Sequence, residues 1–572
     1  IENGGLMFYN DYTSVNGAAG TGYGQFTISG PTTINVKSGG TVFGFKSAAP
    51  MSGDFTNYLT NTFGGSLSNL NIVMPTGGTG TGNLFVLDHA TLDLTGIKSA
   101  VDTINSGSSL SITGDSRFAL LTDSILNIDN NAVIGGAGSA YNLDDKDNLI
   151  NQVSAVNSLV NITANTYING TQNNQVLIKQ VNRASQAQNA IAVTNAGNIN
   201  MHGTGSVSLY SVYGDIKNTG IISTSNGAIG ILGLNETKIE NALSGVMNVG
   251  NFGVGIAGLT HNGQSSAALG YGYDKVDISN NGIIKDTTTA GLSSGLQAQP
   301  IGIYAENKNA SVLQSDVKVT NTGTIDFTQT SGGVGIFIKG GELNDTGHIK
   351  LGSGGIGVYA NNSKITSSGT VDLLAENAVA YYLDNGSALS GTVNININAQ
   401  NVNVLSIKGG NYTLNNIFNI NQAAGSNYVL ANMKDGILNT APGVFTIGEN
   451  SVLLSGINSE VIINNGSTVN GTGNQNVALY AEGSSATGIE AQNNGTINLL
   501  DNSAALYVKN GARSLNTATG VITTGSTSVG IYGINSGTVT NDGIIETGAL
   551  SQGIYAQNTG AVTNNNIINV SG

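Results

Sequence analysis

The sequence predicts an all-β chain folded as a right-handed parallel β-helix, a solenoid with an irregular N-terminal region and small inserted loops or helices. Three observations lead there. The composition favours turns and strands, a four-residue phrase recurs about every 23 residues, and an Asn/Gly punctuation follows most copies of that phrase.

The chain of 572 residues has 82 Gly, 5 Pro, no Cys and no Trp, with 9% charged against 39% hydrophobic residues. Disorder goes with low hydrophobicity and high net charge, and this chain does not fit it. Collagen needs Gly at each third position and abundant Pro, and both are missing. The abundant Gly, Asn, Thr, Ser, Val and Ile are turn and strand formers. The net charge of −14 comes without a basic stripe, which argues against nucleic acid as a partner. No apolar run approaches the roughly 18 residues that a membrane-spanning helix requires. A start at Ile1 without a signal peptide and an end in mid-pattern lead us to expect a mature fragment of a longer protein. The lack of Cys suits passage through an oxidising periplasm.

The recurring phrase is a small residue, an aliphatic, an aromatic and another small or aliphatic residue. It stands as Gly302-Ile303-Tyr304-Ala305, Gly335-Ile336-Phe337-Ile338, Gly357-Val358-Tyr359-Ala360 and Ala380-Tyr381-Tyr382-Leu383. It returns at Ala478-Leu479-Tyr480-Ala481, Ala505-Leu506-Tyr507-Val508, Gly530-Ile531-Tyr532-Gly533 and Gly553-Ile554-Tyr555-Ala556. Ile336 to Val358 is 22 residues, and Ile531 to Ile554 is 23. Such a unit holds three short strands and three corners, one turn of a triangular β-helix. The second phrase, as in Asn218-Thr219-Gly220, Asn321-Thr322-Gly323 and Asn541-Asp542-Gly543, reads as a tight corner because Asn and Gly accept positive φ.

Strand alternation sets the expected facing. Val334, Ile336 and Ile338 should point inward, as should Ile356, Val358 and Ala360, Val477, Leu479 and Ala481, and Val529, Ile531 and Gly533. Leu506 and Ile554 join them. The Gly and aromatic positions should then point outward, giving an aromatic ladder of Tyr304, Phe337, Tyr359, Tyr382, Tyr480, Tyr507, Tyr532 and Tyr555. Stacking between coils is one use for such a ladder, and docking of a sugar or protein is the other. Repetition in nearly every coil weighs toward stacking.

Residues 201–572 read as the regular rod, and residues 1–200 as an irregular β-rich head or cap with insertions near 140–190. Residues 1–63 are dense in aromatics, and Tyr9, Tyr12, Tyr23, Phe43, Phe45 and Tyr58 are candidate recognition residues. Asp144-Asp145-Lys146-Asp147 followed by Leu149, Val153, Val156 and Val160 has helical spacing, and the Gln-rich residues 171–190 have no clean period. Both are expected as loops or helices extruded from the rod.

The catalytic and metal patterns are weak. His89, His202, His261 and His348 are far apart, with no H-x-x-x-H frame and no Cys, so no metal and no cofactor is expected. Gly291-Leu292-Ser293-Ser294-Gly295 fits G-x-S-x-G by chance in so Gly-rich a chain, and Gly114-Asp115-Ser116-Arg117 lacks a protease setting. Parallel β-helices include polysaccharide-active enzymes, which cluster Asp, Arg or Lys on one face. Here acidic residues seldom recur at matching coil positions, so the chain reads as non-enzymatic.

The phrases Gly302-Ile303-Tyr304-Ala305, Asn321-Thr322-Gly323-Thr324-Ile325 and Asn541-Asp542-Gly543-Ile544-Ile545 resemble the passenger repeats of the large fusobacterial autotransporter adhesins (the RadD-like family and its galactose-sensitive relatives). The resemblance covers roughly residues 200–572. It implies a cell-surface passenger carried by a C-terminal outer-membrane β-barrel that lies outside this sequence. It also implies adhesion to a host glycan or protein receptor, immune-cell receptors included, and coaggregation with partner bacteria. The repeats transfer no binding residues. A glycan-active enzyme and a spacer rod lifting a distal tip stay open as alternatives.

Overall fold

The structure, a computed structural model, describes residues 5–12, 25–73, 82–94, 111–112, 117–129, 141–143, 151–164, 166–170, 173–182, 191–225, 227–260, 275–287, 299–308, 314–484 and 488–571. It is a parallel β-helix, with strands stacked in parallel from coil to coil. The chain forms two compact units, residues 1–325 and residues 326–572.

A typical coil of the second unit runs along three faces. Ile356–Asn361 lies on the first face, Lys364–Ser367 on the second and Thr370–Leu373 on the third. Each pairs in parallel with its equivalent in the next coil, as Val379–Asp384, Ala388–Gly391 and Val393–Ile397. Inward side chains form aliphatic columns, such as Leu343, Ile365 and Leu389 on the second face and Ile349, Val371 and Ile395 on the third, all nearly inaccessible. Fully burying one such side chain is worth about 1.5–3 kcal/mol, so repetition along the coils builds the core.

Positive φ marks two of the three corners. Asn362, Asn385, Asn458, Asn510, Asn535 and Asn558 each follow the last residue of a first-face strand with positive φ, 49° at Asn385. Gly332, Gly354, Asn377 and Asn502 take positive φ two residues before that face begins. Asn and Gly are the residues that tolerate this conformation.

The Asn-x-Gly phrase makes the expected corner, as between Asp215–Asn218 and Ile221–Thr224, but without the positive φ expected of it. Its Asn points inward. Asn195, Asn218, Asn241, Asn280 and Asn321 are fully buried, and each amide donates to the next at 2.8–2.9 Å. In the second unit Asn493, Asn516, Asn541 and Asn564 continue the same device at 2.7–2.9 Å. The Asn Oδ1 also accepts from the backbone two residues on, as Gly495 N–H does to Asn493 at 3.1 Å. The Gly serves close approach rather than φ. A Cβ on Gly220 would lie 2.2 Å from the Gly197 carbonyl oxygen, and one on Gly543 2.3 Å from that of Gly520.

The first face also departs from strict alternation. In Val334–Lys339 the second, third and fifth residues are buried, while Val334 and Phe337 are half-exposed. The register holds from Val334↔Ile356 to Ile336↔Val358 with the second residue skipped on both strands, and the second and third residues both turn inward. Gly335 therefore points in, not out, and its Cβ would meet the Gly357 carbonyl oxygen at 2.6 Å. Val334, Ile356, Val477 and Val529, expected inside, sit half-exposed at the first position. Ile554, also expected inside, is half-exposed in the last described first-face strand. The third and fifth positions are inward as expected, with Ile336, Val358, Leu479, Leu506 and Ile531 at 0% exposure.

The three-faced coil extends well before residue 200. First-face strands Thr41–Ser47, Asn83–Asp88, Arg117–Thr122, Asn151–Val156 and Val176–Val181 pair in sequence. Residues 151–162, expected within a loop or helix extruded from the rod, are two strands separated by a corner at Asn157, φ 49°. That corner resets the alternation, so Val153, Val156 and Val160 fall at spacings that mimic a helical period. Val176–Val181, expected within an extruded segment, is a buried first-face strand. Residues 144–150 and 183–190 lie outside the described residues. The α-helix Phe55–Phe63 starts at Asp54, whose side chain accepts from the Asn57 backbone N–H at 2.9 Å, a capping contact.

Candidate binding surface on the first face

The two groups of candidate residues meet opposite fates. Phe43, Phe45 and Tyr58 are 1%, 2% and 8% exposed. They pack with Phe8, Phe55, Phe63, Phe85 and Phe118 in a continuous aromatic interior, Phe43 stacking on Phe8 at 5.4 Å and on Phe85 at 5.7 Å. They form the core beneath the Phe55–Phe63 helix, not a recognition surface. Tyr9 is the exception, exposed on the outer side with its ring lying over Gly44. Tyr12 belongs to strand Leu6–Tyr12. Tyr23 lies outside the described residues.

The repeated aromatics stand at the fourth position of the first-face strands, on the outer side. In the second unit one column of register partners reads Phe337, Tyr359, Tyr382, Ser406, Asn432, Ser455, Tyr480, Tyr507, Tyr532 and Tyr555. Phe337, Tyr359 and Tyr382 stack almost parallel, with centroids 5.1 and 4.9 Å apart. Tyr480, Tyr507 and Tyr532 meet edge to face at 5.4 and 4.9 Å, and Tyr532 stacks on Tyr555 at 4.9 Å. Tyr304 occupies the same position in the first unit, following Ala257, and its hydroxyl donates to Glu306 at 2.7 Å.

Between the two stacks the column drops to Ser406, Asn432 and Ser455. Four rung spacings of about 4.8 Å separate Tyr382 from Tyr480, roughly 19 Å along the face. Two residues on along these strands stand Lys408 and Lys434, exposed and direct register partners. Asp384 is the register partner of Lys408 on its other side, and among the described residues neither lysine forms a salt bridge. The result is a shallow trough with aromatic ends, a Ser/Asn floor and a cationic flank.

Charge is handled differently at the far end. Glu482 accepts from the Tyr480 hydroxyl at 2.7 Å, from Lys509 at 3.0 Å and from Asn510 at 2.8 Å. These bonds, that from Tyr480 first, hold its carboxyl below the ordinary glutamate range. Lys509 also lies over the Tyr480 ring, 5.4 Å from its centroid. Burial, then the Asp384 carboxylate, raises the Tyr359 hydroxyl pKa.

Below the trough, Tyr381 turns inward and is fully buried. Its hydroxyl lies 2.9 Å from that of Ser367, which donates to the buried Asp345 at 3.1 Å. Burial drives the Tyr381 pKa up, so it stays a neutral hydrogen-bonding group. Neither this cluster nor the trough was singled out from sequence. The available signal was negative: the repeated phrase is missing between Leu383 and Val477.

Among the described residues no three His, Asp or Glu side chains converge as metal ligands. His261 and Gly291–Gly295 lie outside the described residues. No family model matches the chain, and no curated protein or solved structure matches it.

Proposed function

We propose that this chain is the surface-exposed, non-enzymatic passenger of a bacterial adhesin, binding host-cell receptors and the surfaces of partner bacteria. The first face of the second unit is its contact surface. One observation carries the reading: two outward stacks of aromatic rings end on either side of the Ser406, Asn432 and Ser455 trough beside the paired Lys408 and Lys434. Rings held rigidly by their neighbours present large contact area at little entropic cost. The lysines supply polar selectivity toward an acidic glycan or protein surface. The passenger resemblance in the repeats supports the cell-surface setting.

The test is adhesion of the purified chain to host cells, to partner bacteria and to a glycan array. Tyr382→Ala combined with Tyr480→Ala should reduce binding by about tenfold or more, the loss of roughly 1.4 kcal/mol. Lys408→Glu with Lys434→Glu should do the same selectively for acidic ligands. Full adhesion by both double variants would remove the first face as the contact surface. Cleavage of a polysaccharide by the purified chain would replace the adhesin reading with an enzymatic one.

A further inference from the structure

The third face of the second unit has a missing rung. Phe418–Gln422 pairs on one edge with Val393–Ile397, and Gly443–Ile447 pairs on one edge with Ser467–Gly471. These two third-face strands belong to consecutive coils, yet they end one sheet and begin the next, with no ladder between them. Most of their Cα atoms stand more than 8 Å apart. Paired strands lie about 4.8 Å apart, so these two strands are parted beyond pairing distance.

The gap arises where the coil is rebuilt. Val402–Leu414 and Tyr428–Thr440 are 13-residue strands that run on from the first face into the second, with Gly409, Gly410 and Asp435 at positive φ absorbing the bend. On the third face the separated strands enclose a cavity of about 600 Å³, lined by Phe418, Ile420, Gln422, Tyr428, Thr446 and Glu449 among others. Its ends are closed by side-chain amides. Asn416 donates to the Val444 carbonyl at 2.8 Å, and Gln422 donates to the Glu449 carbonyl at 2.8 Å. The Tyr428 hydroxyl accepts from the Gly448 backbone N–H at 3.0 Å. Side chains thus take up groups at the two ends, while the strand edges between them face each other without a partner strand.

We propose that this open rung captures an extended peptide segment of a partner protein, which inserts as a parallel or antiparallel strand and completes the third-face sheet. Backbone complementarity supports that occupant, because strand edges recognise N–H and C=O groups in extended conformation. Alternation supplies the side-chain preference. Phe418, Phe445 and Ile447 turn inward, whereas Asn419, Asn421, Val444 and Thr446 are exposed. The captured segment therefore alternates apolar residues facing the cavity with polar residues facing solvent. The site lies on a different face from the aromatic column and does not depend on it.

The experiment uses the whole chain and a capped pentapeptide of alternating Val and Thr. Its control is the same peptide N-methylated on alternate amides, followed by amide hydrogen exchange. The parent peptide should slow exchange in Phe418–Gln422 and Gly443–Ile447 by about tenfold or more, leaving Thr496–Leu499 and Val521–Thr524 unchanged. The N-methylated peptide should have no effect. Since Val444 directs its carbonyl into the gap, alternation places the Thr446 N–H on the same edge, and Thr446→Pro should weaken capture while keeping the pairing to Ser467–Gly471. Equal binding by the N-methylated peptide, or both strands already protected in the free chain, would overturn the proposal. So would self-association of the chain that the peptide competes away, which would make a second copy the occupant.

Discussion

Residues 8–63 and residues 337–555 both carry rows of Phe and Tyr, yet Phe8 and Phe43 are 8% and 1% exposed while Tyr359, Tyr382, Tyr507 and Tyr532 lie half-buried on the outer side. The difference is one residue of register. Phe8, Phe43 and Phe85 occupy the third position of the first-face strand, aligned with Ala119 and Val153, and point inward. Phe337, Tyr359 and Tyr382 occupy the fourth and point outward. A shift of one residue exchanges the two faces of a strand, so similar composition yields core in one region and surface in the other.

The sharpest way to break this comparison is to truncate a ring on each side of it. Phe55→Ala should cost about 3–5 kcal/mol, seen as early unfolding and proteolysis of the N-terminal coils. A loss below about 1 kcal/mol, the order of a surface change, would mean that the N-terminal rings are not core. Next in size is the amide ladder of the last coils, from Asn493 to Asn564. Asn516→Ala removes the acceptor of the Asn493 amide and the donor to Asn541, and should cost about 1–3 kcal/mol in denaturant titration. Comparable in size is Tyr359→Ala, at about 0.5–1.5 kcal/mol for each of the two stacks lost with Phe337 and Tyr382, with a weakened near-UV dichroism. A cost equal to that of Phe55→Ala would make the outward column structural and nothing more.

The smallest effect is set by pH. The folded-state pKa of Glu482 is lowered, so its contribution to stability is fully present above the ordinary glutamate value of 4.5 and is lost as pH falls through the lowered value. Glu482→Gln should therefore lower the melting temperature slightly at neutral pH. The difference should vanish once the carboxyl is protonated in both states. A difference that persisted in acid would trace the effect to packing of Tyr480 rather than to charge.

Much of the solenoid was legible because its signals are local and repeated. The third-position aliphatics, the fourth-position rings and the spacing near 23 residues follow from strand alternation and coil stacking. The inward Gly at the second position was not legible. Strict alternation turns that position outward, and only the approach of the Gly357 carbonyl to Gly335 shows that it faces inward. The Asn-x-Gly phrase was recognised and given the wrong cause. Asn is equally at home in a positive-φ corner and in a buried amide ladder, and only the partner coil distinguishes them.

By itself the sequence determined the fold class, the length of the coil, the inward aliphatic columns and the outward row of rings in residues 302–555. Tertiary structure alone decided that the N-terminal aromatics are core, that the coils begin well before residue 200, and that the trough and the open third-face rung share residues 402–471. The physical reason is the range of the interactions. Alternation and corner chemistry act within a few residues and leave a periodic trace. The inward second strand position, helix packing on Phe85, and the parting of Phe418–Gln422 from Gly443–Ile447 depend on neighbours about a coil or more away along the chain.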